Sequence, residues 1–186
     1  MSELVEGSEP VEDLELATDV ARDVRSFLET LELVASGRAG AQSVALLLLD
    51  VAQICVAGAH LGARTDVILD SNVEPVLDPV PDLDKVREGL AQQLDPIDAY
   101  AEVFDPYSDD PPVPYRLSDD LADMAMDLFR GLLHYDAGRG REALWWWQFT
   151  YLNSWGGSAG AAPRALQSVV AHVRLDTAPE DVPEGV

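Results

Sequence analysis

From Val44 to Ala63 the chain carries only three polar side chains, Asp50, Gln53 and His60, and these fall in a narrow stripe when wound as a helix. A helix that is apolar nearly all round has to be covered nearly all round. The run therefore predicts a helix at about residues 41–62 in the middle of a bundle. Its length also matches a membrane span. Against that reading, an Asp at the centre of a span costs about 2.5–3.5 kcal/mol on insertion scales, and no basic anchor flanks the run. The expectation is no membrane partner, with a cytoplasmic location by default, because Met1 to Val11 has neither a basic start nor an apolar run.

The segment before it supplies one of the covering elements. Leu14, Ala17, Val20, Ala21, Val24, Phe27, Leu28, Leu31 and Val34 recur at three- and four-residue spacings, which predicts an amphipathic helix. Ser36-Gly37-Arg38 ends it, since glycine readily takes the left-handed conformation of a helix terminus. The pattern returns 101 residues later at Ala137-Gly138-Arg139, again between an amphipathic and a strongly apolar stretch. Two αα-hairpins are therefore expected.

Between them, residues 64–81 and 104–114 are rich in proline and acid and read as connections around a short helix at about 83–94, with one further helical turn at Ile97–Phe104. Ser118 is the expected cap of a helix at about 118–137. Arg141–Trp155 reads as the next helix, with no second strand evident to pair with its aromatic run. Trp155–Ala162 reads as a glycine-rich turn, and Pro163 as the first turn of a last helix ending near Leu175. The fold class expected is all-α, a bundle of five to seven helices. One domain spans residues 11–175, and residues 1–10 and 176–186 are acidic, disordered tails.

Charge narrows the partners. The 34 Asp and Glu against 12 Lys and Arg leave a formal charge of −22. Half of the excess lies on the two ends and half on residues 66–110, while segments 20–65 and 111–175 are each neutral. Direct binding to nucleic acid is not expected, because affinity for phosphates needs a basic surface. A protein partner or a second copy of the chain is. Cys55, the single cysteine, reads as a buried free thiol, and one thiol with three scattered histidines excludes the usual structural zinc patterns.

Three constellations could carry chemistry. Gly156-Gly157-Ser158-Ala159-Gly160 matches the serine-hydrolase G-x-S-x-G, but no acid lies between Ser158 and His172 and no parallel sheet is evident. A small-residue turn between two packed helices is the better reading. On helix 118–137, Asp120, Asp123, Asp127, Arg130 and His134 share an arc of about 80° at 100° per residue. Asp120, Asp123, Asp127 and His134 are thus candidate ligands for a divalent metal, with a solvated, ion-paired face as the plainer alternative. Among the aromatics, Trp147, Tyr151 and Trp155, together with Asp105 and Tyr107 of the FDPY turn, are the candidate binding residues. No cofactor is expected unless the metal reading holds.

The stretches RLSDDLADM, ALWWWQFTYLNSWG and RALQSVVAHVRL resemble a mostly actinobacterial family known only as a domain of unknown function. The resemblance covers most of residues 12–175 and implies no activity, cofactor or site residue. The functional expectation is a non-enzymatic helical binding or interaction domain, with a metal-dependent enzyme or small-molecule binder on the Asp/His stripe as the alternative.

Overall fold

The structure, a computed structural model, describes residues 9–69, 81–102, 107 and 111–175. Residues 1–8, the tail 176–186 and Asp105 lie outside the described residues. The chain builds α1 (Glu9–Ala35), a short 3-10 turn, α2 (Ser43–Ala63), α3 (Leu83–Leu94), β1 (Ala99–Glu102), β2 (Val113–Arg116), α4 (Leu117–Asp136), α5 (Gly140–Thr150) and α6 (Gly156–Leu175). The fold class is all-α, as the sequence predicts. α1 with α2, and α4 with α5, are the two hairpins. At their equivalent turns Gly37 has φ 75° and Gly138 φ 76°, the left-handed conformation that a β-carbon disfavours.

The centre of the bundle is α4, not α2. α4 packs against α1, α3, α5 and α6, and buries Leu117, Leu121, Ala122, Met124, Ala125, Leu128, Gly131 and Leu132. Its backbone approaches α5 closely at Gly131, where an added β-carbon would lie 2.0 Å from Nε1 of Trp147. α2 buries only Leu47, Val51, Ile54, Leu61 and their small neighbours on one face, against α1 and α6. Asp50 turns toward α1, accepting hydrogen bonds from Ser26 (2.8 Å) and Thr30 (2.7 Å). The opposite, apolar side of α2 is left exposed. The expectation of a central α2 is thereby overturned. Hydrophobicity says how much of a helix could be buried, while the number of neighbours is set by topology.

Three further expectations are corrected. Within the predicted turn at Ile97–Phe104, Ala99–Glu102 is instead the strand β1, antiparallel to β2 with Tyr100 opposite Tyr115 and their rings 5.8 Å apart. Four-residue strands are too short to show a period. Ser118 is not the cap of α4 but sits in its first turn, and the cap comes from Asp98. That carboxylate accepts from the Ser118 backbone N–H (2.8 Å) and hydroxyl (2.9 Å), and its own backbone carbonyl accepts from the Leu117 N–H (2.8 Å).

The glycine-rich turn at Trp155–Ala162 is also absent. A π segment, Tyr151–Trp155, carries α5 directly into α6, and Pro163 lies inside α6 rather than in its first turn. The Gly156 N–H reaches the Tyr151 carbonyl, five residues back. A β-carbon at 156 would stand 2.3 Å from that oxygen, so the widened turn requires glycine there. Tyr151 in turn packs closely against Gly58 and Gly62 of α2. These contacts outweigh the roughly 1 kcal/mol per glycine that helix propensity sets against continuation.

Candidate interaction surface

The acidic stripe of α4 is the first place where chemistry was expected, and the fold gives each of its members a different partner. Asp120 accepts from the Tyr100 hydroxyl (2.7 Å) and the Ser158 hydroxyl (2.9 Å). Asp123 pairs with Arg87 of α3 (2.8 Å), which also reaches Asp84 and Asp119. Asp127 is half-buried, and burial raises its carboxyl above the ordinary 3.8, opposed by the Ser154 hydrogen bond and by Arg130. The Trp146 indole donates to the Asp127 backbone carbonyl at 2.9 Å.

His134 is fully buried between α4 and α5, with Nδ1 3.1 Å from Glu142 and its ring stacked on Trp146. The arc is therefore only partly a solvated, ion-paired face, with Asp123 exposed and His134 buried. α5 crosses it. Among the described residues no three His, Cys, Asp or Glu side chains are grouped so as to hold a metal ion. Ser158, on the continuous α6 and bonded to Asp120, is in no strand-to-helix elbow.

Burial lowers the His134 pKa from its ordinary 6.5; the Glu142 hydrogen bond opposes this, and the Arg139 charge adds to it. The unfolded chain takes up this proton near pH 6.5 and the folded chain only below that. Stability present above pH 6.5 is thus lost as the pH falls through the lowered value. Urea midpoints should drop between pH 7.5 and 5.5, and the drop should shrink in His134→Gln. Equal drops in both proteins would show that another group is responsible.

Of the predicted binding aromatics, Trp147 and Trp155 are core residues, with Nε1 bonded to the Leu128 carbonyl (2.9 Å) and to Thr150 Oγ1 (3.0 Å) respectively. Tyr151 fills the α2 interface, and its ring meets that of Trp155 edge-on at 5.0 Å. Tyr107 is 96% exposed. The aromatic helix does present a side to solvent, through Phe149 and Leu152.

The largest departure from an ordinary surface is on α2. Ala45, Leu49, Val56 and Ala59 are exposed and Ala52 partly so, with Leu49 at 71% and Val56 at 51%. Their spacing is four, three, four and three residues, the alternation that keeps side chains on one line facing a partner helix. No charged residue interrupts that line, because Asp50 points to α1. Cys55 beside it is partly exposed rather than buried. The spacing was visible in the sequence, but the uniform apolarity around it hid which side would be covered.

By length and composition Gly40–Ala63 is the one stretch among the described residues that could cross a membrane, and 33% of its most apolar window is buried within the fold.

The architecture defines an all-α domain of two hairpins, with α4 of the second at its centre and a two-stranded antiparallel sheet ahead of α4. The chain belongs to the DUF5063 family, whose model, described as a domain of unknown function, matches residues 12–172. It is similar to the crystal structure of protein BF1032 from Bacteroides fragilis, with a TM-score of 0.60, 19% identity, and coverage of 83% of this chain and 89% of that one. That likeness concerns the fold. A comparison with curated proteins finds no match.

Proposed function

We propose that this is a non-enzymatic, cytoplasmic interaction domain that self-associates through the outer face of α2. The observation that carries the reading is the exposed line Ala45, Leu49, Ala52, Val56 and Ala59 at coiled-coil spacing. The alanines let two helix backbones approach, and Leu49 and Val56 supply the knobs. Such a line is self-complementary, as a two-fold interface requires. Charge favours it too. In a chain of net charge −22, this uncharged helix face lets two copies meet without apposing carboxylates. The unpaired thiol of Cys55 accords with a reducing compartment.

A contact along two heptads is small against the roughly 1,200–2,000 Å² of stable interfaces, so association in the micromolar range is expected. Sedimentation velocity at about 100 µM should give a species of twice 20.2 kDa, and Leu49→Glu/Val56→Glu should run as a 20.2 kDa monomer with an unchanged far-UV spectrum. A wild-type chain that stays monomeric at that concentration would refute the proposal.

A further inference from the structure

A second surface lies between β1 and α6. Asp98 and Leu117 are a hydrogen-bonded pair, the Leu117 N–H reaching the Asp98 carbonyl at 2.8 Å. They continue the register in which Ala99 faces Arg116, Tyr100 faces Tyr115 and Ala101 faces Pro114. Antiparallel pairs alternate between bonded and non-bonded. Ala99 and Ala101 are therefore the non-bonded members, a register that also suits Pro114, which has no N–H to give. Their own N–H and C=O groups point away from β2, toward the edge of β1 that no strand among the described residues pairs with. Both residues are exposed.

That edge borders a cleft of about 550 Å³ whose opposite wall is α6, through Ala161, Arg164, Ala165, Ser168 and Val169. These fall on one helical face. Among the described residues, β1 contributes to the lining and β2 does not, so the cleft lies along the strand's edge rather than over the sheet. The small side chains of Ala161 and Ala165 make the room, and Ile97 and Val169 make part of it apolar. Arg164 is exposed and, among the described residues, has no carboxylate partner. It is the one basic residue lining the cleft among the described residues.

We infer that this cleft binds an extended segment of a partner protein by strand addition to β1, with Arg164 pairing to an Asp or Glu side chain of that segment. The backbone groups of Ala99 and Ala101 supply up to four hydrogen bonds, which any extended chain can complete. Arg164 and the small apolar floor select which chain does so. A charge-assisted bond from guanidinium to carboxylate is the strongest single contact available there.

Selection of a displayed library of random dodecapeptides against the full-length chain tests this. The recovered peptides should share one acidic position flanked by small or β-branched residues. Their affinity should fall at least tenfold for Arg164→Ala, and replacing the acid by its amide should cost the same factor on the wild-type chain but little on Arg164→Ala. N-methylation of alternate backbone amides in a selected peptide should abolish binding, while methylation of the intervening ones should not. Because Arg164 is exposed, the variant should keep the wild-type melting temperature. A selection that yields no binder, or binders indifferent to Arg164→Ala or to N-methylation register, overturns the inference. Failure of α2 self-association would leave this result unaffected.

Discussion

Trp147→Ala should cost about 3–5 kcal/mol, a large part of the 5–15 kcal/mol that holds a domain of this kind together. Trp147 is completely buried, packs against Tyr135 with ring centroids 6.5 Å apart, and donates its indole N–H to the Leu128 carbonyl at 2.9 Å. Its removal opens a cavity where α5 meets the central helix α4. Urea unfolding followed by circular dichroism should show the midpoint fall with little change in slope.

Gly131 gives the cause a sharper check. Alanine there places a β-carbon on the indole, and overpacking of that kind costs about 1–3 kcal/mol. With Trp147 already reduced to alanine, the clash is gone, and Gly131→Ala should be neutral or stabilise by up to about 1 kcal/mol through helix propensity. The two substitutions should therefore be strongly non-additive. Simple additivity would mean that the indole does not determine the glycine.

Asp98→Ala should cost about 2–4 kcal/mol. The side chain is 7% exposed and accepts three hydrogen bonds, two from Ser118 and one from Arg116 Nε at 2.8 Å. Losing a helix cap costs about 0.5–2 kcal/mol, and leaving the buried Ser118 hydroxyl unsatisfied about 1–3 kcal/mol more. Arg116 stays in water and adds little. Hydrogen exchange should locate the damage, with the Ser118 amide losing protection while amides in the middle of α1 keep theirs relative to global stability. A loss below about 1 kcal/mol, or uniform loss of protection, would show that α4 is not capped from the loop ahead of β1.

The aromatic run Leu144–Leu152 shows how far local reasoning reaches. Its composition favours a strand, yet Arg141 to Leu144 leads in without a break, and the helix predicted on that ground is present. Gly37 and Gly138 are legible for a similar reason, since a left-handed residue between two helices calls for glycine whatever lies around it. Gly156 and Gly157 mislead by the same rule. What keeps them helical is Tyr151 seated on α2, a contact between residues far apart in the chain. The candidate surfaces divide likewise. The four-three spacing on α2 is in the sequence, whereas the cleft beside β1 joins Ala99 to Arg164 and has no local signature.

The sequence by itself determined where most of the helices lie, where the two hairpins turn and where charge accumulates, because periodicity, glycine and ionisable groups act over a few residues. Only the tertiary structure decided that α4 takes the centre and α2 the edge. Each helix can bury only the face its neighbours cover. α4 therefore kept solvent at Asp123 but lost it at His134, and Arg87, Tyr100, Ser158, Trp146 and Glu142 came to partner the stripe. α2 kept an apolar face with no neighbour among the described residues. The same assembly left β1 with an edge that no strand among the described residues pairs with, facing Arg164.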